Sequence, residues 1–485
     1  MQAHHQPTML WHDYECWGVS PRQDWPCQFA AVRTDLSLNE LKSAAQKPMN
    51  WFCRIPNDQL PHPEACLVTG ITPQQSLRDG YIEADFVAKI HAEMIQPETC
   101  VCGYNSIRFD DEVTRFALFR NFYDPYAREW KNGNSRWDII DLVRACYALR
   151  PDGVVWPQNE QGSPSFKLEH LTQANQLDHG DAHDALSDVH ATIALARLIE
   201  QQQPKLYEYA FAMRHKQTVL ARLKLQNMQP LVHISGMYKA DRGCCSIILP
   251  IGFHPQNNNA LICVDLLQPI ESIINVDVDT LRQRLYTKTE DLEHANQRPG
   301  IRTLHINKSP FIAPLNTLSE ARATALGIDI NTAVERATQL STVDGLVATL
   351  TRVFEADTHR DEEPRDIDQS LYSDGFASTQ EKNWAQQVID APPETLHLLS
   401  DDAPSARLKH KLFRYRARNY PQTLTASELE RWQAFRQARL FEPDSPNGIN
   451  AGQYMQEIEL LAERTKGDAN KQAILRALVE YAQNL

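Results

Sequence analysis

The strongest constraint on the fold is an ordered alternation of strand-like and helix-like segments in the first 202 residues. Apolar, β-compatible runs bounded by turn residues predict strands at 8–15, 27–33, 50–55 and 99–104. Helical periodicity appears at 83–96, 110–122, 137–149, 167–176 and 184–201. Three early strands followed by alternating helices and strands predict an α/β sheet domain that ends near residue 202.

The remainder of the chain changes character twice. Strand-like runs at 231–238, 245–253 and 260–267 alternate with turns rich in Gly, Pro and Asn, which predicts a small β-rich domain with a barrel as one arrangement. An acidic, proline-containing segment at 355–370 has no periodic apolar face and is predicted to be a linker. From 371 onward the pattern is nearly all helical. We therefore predict domains at 1–202, 203–355 and 356–485.

The charge balance does not decide between ligand classes. A net charge of −13 argues against a nucleic-acid ligand if it is applied to the whole chain. Acidic runs such as 357–368 can dominate that sum while a basic groove exists elsewhere. The ten cysteines lack C-x-x-C spacing, which fits buried residues in a reducing compartment. Neither a signal peptide nor a membrane segment is predicted, so we expect a cytoplasmic location.

Asp13 and Glu15 stand two positions apart at the end of the first predicted strand. Side chains alternate along a strand, so both carboxylates point to the same face. Converging carboxylates repel each other unless a cation lies between them, and hard oxygen ligands favour Mg²⁺ or Mn²⁺. The alternative is an exposed acidic strand end without a metal.

Further acidic residues and a histidine lie at two predicted helix starts. Asp110 and Asp111 begin the helix at 110–122, where acids also interact favourably with the helix dipole. His183 immediately precedes the helix at 184–201, and Asp188 lies near the end of its first turn. Taken alone, each could be a capping or surface residue.

The conjunction of these residues resembles the DEDDh exonuclease superfamily. The motifs, in chain order, are the strand HDYE, the helix start GYNSIRFDDEVTR and the late HDALSDV. The resemblance to bacterial exonuclease I extends over almost the whole chain, through NSRWDIIDLVRACYALRP, LVHISGM and LFRYRARNYP. It implies a ribonuclease-H-like α/β exonuclease domain, an SH3-like β-barrel domain and an all-α C-terminal domain.

The resemblance also implies an activity and a set of site residues. The activity is 3′→5′ hydrolysis of single-stranded DNA, releasing 5′-mononucleotides in DNA repair and recombination. Two Mg²⁺ ions, for which Mn²⁺ can substitute, would be held by four acids, with a histidine as the base. These residues are Asp13, Glu15, Asp110, Asp188 and His183.

Two of these assignments have competitors nearby. Asp111 competes with Asp110, and the family register, with the acid directly after Phe109, favours Asp110. His190 competes with His183 but lies beyond Asp188 on the same helix.

DNA-contacting positions are also implied by the resemblance. They are Glu15, Arg115, Tyr126, Trp130, Arg144 and Lys167. Cationic and aromatic side chains of this kind hold single strands through phosphates and base stacking. Lys167 departs from the family, which usually has arginine there, so the charge is kept but the bidentate geometry is lost.

A basic, aromatic run at 407–421 stands out in this acidic chain. It could line a DNA-binding clamp, bind an acidic partner peptide, or form a solvated helix face. The family also implies docking of the acidic C-terminal tail of single-stranded-DNA-binding protein, at a site that the sequence does not locate. We expect a monomer. The rival interpretations are a DEDDh enzyme acting on RNA, an inactive DNA-binding scaffold and a structural metal site.

Overall fold

The structure is a computed structural model that describes residues 6–41, 47–177, 184–355, 366–373, 375–442 and 448–485. The predicted base His183 lies outside the described residues. The chain divides into two compact units. The first comprises Met1–Ser135, His179–His190 and Glu363–Leu485, and the second comprises Arg136–Asp178 and Ala191–Glu362. The domain boundaries at 202 and 355 stay a prediction.

The predicted N-terminal strands are present and form one sheet. Its strands are β1 Thr8–Cys16, β2 Pro26–Thr34, β3 Met49–Phe52, β4 Thr99–Gly103 and β5 Ser135–Asp138, in the order β3-β2-β1-β4-β5. Strand β1 is central, pairing antiparallel with β2 and parallel with β4. Along β1, Asp13 and Glu15 are half-buried while Tyr14 and Cys16 are buried, as the period of two predicts.

Five helices of this region follow the predicted periodicity, one of them with a shifted start, and two short helices between residues 63 and 79 were not predicted. They are α1 Pro63–Thr69, α2 Pro73–Asp79, α3 Glu83–Met94, α4 Asp110–Arg120, α5 Ile140–Leu149, α6 Leu168–Ala174 and α7 Ala185–Gln202. We predicted a helix from residue 137, but α5 begins at Ile140 because Ser135–Asp138 is a strand. Asp138 ends that strand and accepts the backbone N–H of Ile140 at 3.0 Å.

The predicted β-rich middle segment forms a second, antiparallel sheet. Its strands are β6 Leu231–Ile234, β7 Cys245–His254, β8 Asn257–Asp265, β9 Ile301–His305 and β10 Phe311–Pro314, in the order β10-β6-β7-β8-β9. Leu231, Ile248, Leu261 and Ile312 contribute to its core. The helices around it are α8 Pro204–Ala212, α9 Lys216–Leu223, α10 Val278–Tyr286, α11 Glu320–Ala325, α12 Ile330–Ser341 and α13 Leu346–Val353.

The C-terminal part is helical, as predicted. Its helices are α14 Thr379–Asp390, α15 Ala406–Asn419, α16 Ala426–Phe441, α17 Ala451–Arg464 and α18 Ala469–Gln483. Capping boxes at Ser378, Thr425 and Asn450 begin three of them. Within the first unit, α17 and α18 share a core with Trp17 and Trp25 from the N-terminal region. The ten cysteines are all buried, and in the described part of the chain no helix combines the length and apolarity needed to cross a membrane.

Most cations of the basic run on α15 are internal, which corrects for them all three roles that we considered, whereas Lys409 is exposed. Arg414 and Arg418 are each less than 10% exposed, and both form ion pairs with Asp368, at 2.9 and 2.7 Å. Arg418 also pairs with the fully buried Asp58 at 2.9 Å. Lys411 places its Nζ 3.5 Å from the centre of the Phe119 ring. These cations attach α15 to other parts of the first unit instead of presenting a basic surface.

Candidate active site

Three carboxylates converge where β1 meets the first turn of α7. One oxygen each of Asp13, Glu15 and Asp188 lies within 4.8 Å of the others. The strand period places the first two side chains on one face, and the tertiary fold brings Asp188 to them from 173 residues later in the chain. Three oxygen ligands at this separation fit a hard divalent cation such as Mg²⁺ or Mn²⁺.

Asp110, the first residue of α4, is tied to the same strand. Its Oδ1 accepts the backbone N–H of Tyr14 at 3.1 Å. Tyr14 lies between Asp13 and Glu15 on the opposite face of β1, so this bond fixes the helix start against the acidic strand end. The Thr114 hydroxyl strengthens the connection by donating to the Asp110 backbone oxygen at 2.8 Å and lying 3.1 Å from the Tyr14 hydroxyl.

Asp111 has a different environment from its neighbour. Its Oδ1 lies 2.7 Å from a guanidinium nitrogen of Arg128, and both side chains are almost completely buried. Removing either partner would leave an uncompensated charge in the interior. The geometry therefore favours Asp110 over Asp111 as the acid that faces the carboxylate group.

The electrostatics of the group show an excess of negative charge. Burial, followed by the charges of Asp110, Glu15 and Asp188, raises the pKa of Asp13 well above its ordinary value. Burial, and then Asp188, Asp110 and Asp184, raises the pKa of Glu15 to about 8. Carboxylates held together against repulsion attract a cation, because each added positive charge relieves several unfavourable contacts at once.

The competing histidine is engaged elsewhere. His190 Nδ1 lies 3.4 Å from Glu40 Oε1, and the side chain is 40% exposed. His183 lies outside the described residues, so its role as a base stays a prediction. Its position in the sequence, five residues before Asp188 and one before Asp184, is the remaining argument for it.

Three predicted DNA contacts, Arg115, Tyr126 and Trp130, lie in the first unit. Arg115 forms ion pairs with two glutamates, and the other two residues are aromatic. The Arg115 guanidinium lies 2.8 Å from Glu129 and 2.6 Å from Glu112, and its centre is 5.3 Å from the Tyr126 ring centre. Trp130 is 66% exposed. Since two carboxylates already neutralise Arg115, the geometry fits support of Tyr126 better than a free phosphate contact. All three contacts stay predictions.

Two aromatic residues that the sequence reasoning missed lie beside Arg115 and Tyr126. The Tyr372 hydroxyl donates to Glu112 at 2.5 Å. Phe376 is 89% exposed and its ring packs edge-on against Tyr126, with 5.9 Å between ring centres. They follow Tyr126 by 246 and 250 residues, so local patterns could not connect them. A phenylalanine among polar turn residues, in SDGFAST, was the available signal.

The predicted contacts of the second unit differ in exposure. Arg144 is mostly buried and donates to Asp141 at 2.8 Å. Gly236 makes room for it, because a Cβ there would lie 2.8 Å from an Arg144 nitrogen. Lys167 is 70% exposed, with its Nζ 3.6 Å from Glu169. Lys167 is thus accessible to a phosphate, and both assignments stay predictions.

Comparisons with known proteins agree with this arrangement along the chain. A family model described as Exonuclease matches residues 10–196. Models of the Exonuclease I SH3-like domain and the Exonuclease I C-terminal domain match residues 214–356 and 365–485. The exodeoxyribonuclease I of Escherichia coli strain K12 is 42% identical over 480 residues, covering 99% of this chain and 98% of its own.

Solved structures are similar over the same extent. A zinc-bound form of an E. coli exonuclease I complex with single-stranded DNA matches with a TM-score of 0.91 at 41% identity, covering 99% of each chain. A structure of SSB/exonuclease I with the inhibitor CFAM matches with a TM-score of 0.90 at 41% identity, covering 99% of this chain and 100% of that one.

Proposed function

Because the chain belongs to the exodeoxyribonuclease I family of DNA exonucleases, we propose that it hydrolyses single-stranded DNA from the 3′ end. The products would be 5′-mononucleotides, and the role would lie in DNA repair and recombination. Family membership also confirms the predicted fold class, an α/β exonuclease domain followed by an SH3-like domain and a helical C-terminal domain. The observation that carries the site assignment is the convergence of Asp13, Glu15 and Asp188 within 4.8 Å.

The four acids fit the binding of two Mg²⁺ ions, with Mn²⁺ as a substitute. Asp13, Glu15 and Asp188 would hold one ion, and Asp13 and Asp110 would hold the other. Bound divalent ions activate a water molecule and stabilise the charge that develops on the phosphate and on the leaving 3′ oxygen. The hydrogen bond from the Tyr14 backbone N–H to Asp110 attaches α4 to β1 and helps to hold these ligands in position.

The proton of the attacking water needs an acceptor. We assign this step to His183, because an imidazole with an ordinary pKa near 6.5 is largely neutral at physiological pH. His190 is less suited, since its Nδ1 already lies 3.4 Å from Glu40 Oε1.

Digestion of a 5′-labelled oligonucleotide tests the proposed activity. We expect metal-dependent shortening from the 3′ end on single-stranded DNA, slower digestion of duplex DNA and RNA, and none in EDTA. RNA cleavage at an equal or higher rate would support the RNA-acting rival instead. Tight DNA binding without cleavage would support the inactive scaffold.

If DNA bases stack on the exposed ring of Trp130, the variant Trp130→Ala should bind single-stranded DNA more weakly. Base–aromatic stacking contributes about 1–3 kcal/mol, so we expect binding of single-stranded DNA to weaken by roughly 5- to 150-fold. Fluorescence anisotropy in EDTA measures binding without digestion. Tyr286→Ala removes an aromatic side chain that is 56% exposed elsewhere and serves as the control. Equal affinities of the two variants would contradict the assignment.

The acidic tail of single-stranded-DNA-binding protein has a chemically suitable cavity in the second unit. A cavity of about 370 Å³ is lined by the cations Arg150 and Lys205 and by apolar atoms of Leu206, Tyr209 and Phe311. Both cations are exposed, and Arg150 is hydrogen-bonded to backbone carbonyls, which leaves its charge uncompensated by these contacts. A cationic rim over an apolar wall fits an acidic peptide that carries an apolar residue. We place the tail there.

Reversing the charge of this rim tests the placement. In Arg150→Glu/Lys205→Glu we expect affinity for a synthetic acidic tail peptide to fall by at least about tenfold, because like charges would face each other. Lys216→Glu, a charge reversal outside this lining, is the matched control. Unchanged peptide affinity in the double variant, measured by calorimetry, would refute this location.

We also propose that the protein acts as a monomer in the cytoplasm. The cytoplasmic location is supported by the ten cysteines, all of which are buried, as suits a reducing compartment. Light scattering on the purified protein would reveal any dimer.

A further inference from the structure

Asp184 and Gln28 connect the helix that carries Asp188 with the strand beside Asp13 and Glu15. Gln28 lies on β2 directly opposite Glu15 in the strand register and is 2% exposed. Its Nε2 donates to Asp184 Oδ1 at 3.2 Å and to Asn50 Oδ1 at 2.8 Å. We propose that Asp184 is a positioning residue that, through Gln28, holds Asp188 in register with Asp13 and Glu15 for metal binding. This inference rests on the proposed metal site.

The second oxygen of Asp184 organises the start of α7. Asp184 Oδ2 accepts both the backbone N–H and the hydroxyl of Ser187, each at 3.1 Å. The Asp184 backbone carbonyl accepts the N–H of Asp188 at 3.1 Å, closing the first helical turn. Asp184 therefore caps the helix with one carboxylate oxygen and binds the sheet with the other. The side chain of Asp188 projects from the turn that these bonds fix.

A carboxylate can both cap α7 and accept the hydrogen bond from Gln28, whereas other capping residues cannot do both. Serine and threonine cap helices well but offer a single side-chain oxygen, and asparagine would turn a donor toward the Gln28 amide. The acid also adds negative charge near Asp13 and Glu15, which is unfavourable for the metal-free fold. A residue placed here for helix capping alone would do better without that charge, so its position favours a role in the site.

Partners that orient metal ligands typically change metal affinity or activity by about 10–100-fold when they are replaced. We expect Asp184→Asn and Gln28→Ala each to lower the affinity for Mn²⁺ by about 10–100-fold. Calorimetry in the absence of DNA measures this affinity. At fixed, subsaturating Mg²⁺, kcat should fall while the KM for DNA changes little, and excess Mg²⁺ should recover part of the loss. The double variant Gln28→Ala/Asp184→Asn should lose no more Mn²⁺ affinity than whichever single variant loses more, because both residues act through one link.

Asp329→Asn is the matched control, since Asp329 caps α12 in the same way, accepting the Thr332 N–H at 3.1 Å. Absence of Mn²⁺ binding by the wild type would refute the metal site itself. Tight binding by the wild type and unchanged binding by both single variants would overturn the positioning role alone. If Asp184→Asn fails to fold, Gln28→Ala leaves the helix cap intact and decides the question. Additive losses in the double variant would also contradict the link.

Discussion

Asp13→Asn is expected to lower kcat on single-stranded DNA by on the order of 10³-fold or more. Metal ions supply several kcal/mol of transition-state stabilisation, and each 1.36 kcal/mol corresponds to about tenfold in rate. Asparagine keeps the shape of Asp13 but removes the charge at the centre of the group, where the oxygens of Asp13, Glu15 and Asp188 meet within 4.8 Å. The loss should appear in single-turnover digestion at saturating DNA.

The same variant should be no less stable than the wild type in EDTA. Asp13 lies among like charges, and its pKa is raised by desolvation and by those neighbours, so removing the charge relieves repulsion. Stability that is retained or raised while activity is lost distinguishes a functional acid from a structural one. Asp402→Asn, at an exposed position, is the control for both measurements. Activity within tenfold of the wild type, or a large drop in melting temperature, would contradict the assignment.

Asp58→Asn is expected to cost about 3–5 kcal/mol in the free energy of unfolding of the first unit, because it removes the carboxylate that pairs with the buried Arg439 and leaves the buried Arg418 with Asp368 alone. Asp58 is fully buried, 2.9 Å from Arg418 and 3.6 Å from Arg439. Urea denaturation followed by tryptophan fluorescence measures the change, since Arg418 and Arg439 both lie over the Trp25 ring, 5.1 and 5.3 Å from its centre.

The pH dependence of this effect has a definite sign. Burial alone would raise the pKa of Asp58, but Arg418 and Arg439 outweigh it and hold that pKa below its usual value. A depressed folded-state pKa gives stabilisation that is complete above the unfolded-state pKa of about 3.9 and is lost as the pH falls further. The difference between wild type and Asp58→Asn should be full at pH 7 and narrow below about pH 4.

Asp79→Asn is the control for this measurement. Asp79 is also paired with an arginine, at 2.8 Å from Arg78, but both side chains are exposed. Exposed pairs contribute about 0–1 kcal/mol, so this variant should change little. Equal effects of Asp58→Asn and Asp79→Asn would show that the buried network adds nothing beyond a surface ion pair.

Local patterns predicted most of the secondary structure because they depend on neighbouring residues. The strand period placed Asp13 and Glu15 on one face, and the helical period predicted α3, α4, α6 and α7 with small end differences. Strand β5 was missed because its four residues, SRWD, merge into the periodic helix that follows. The short helices α1 and α2 were missed for a similar reason, since seven residues hold too few turns to show a period.

The roles of the α15 cations could not be predicted, because burial depends on residues distant in the chain. Arginine is a residue type common on protein surfaces and in DNA-binding sites. The partners of Arg418 are nevertheless two acids, Asp58, which lies 360 positions earlier, and Asp368. Nothing within one helical turn of Arg418 indicates those acids. Charge in a sequence specifies what a side chain can bind, and the fold decides whether the partner is a phosphate or a buried carboxylate.

The sequence by itself predicted the chemical type of the site. Its acids follow each other along the chain in the same order as in the DEDDh exonucleases, at a strand end and at two helix starts. The tertiary structure decided how these acids divide their tasks. It pairs Asp111 with Arg128, turns Asp110 toward β1, and connects Asp184 to Gln28. The physical reason is the distance along the chain over which each feature is determined. Backbone periodicity is set within a few residues, whereas the charge or donor that a carboxylate meets is set by packing between segments far apart in the chain.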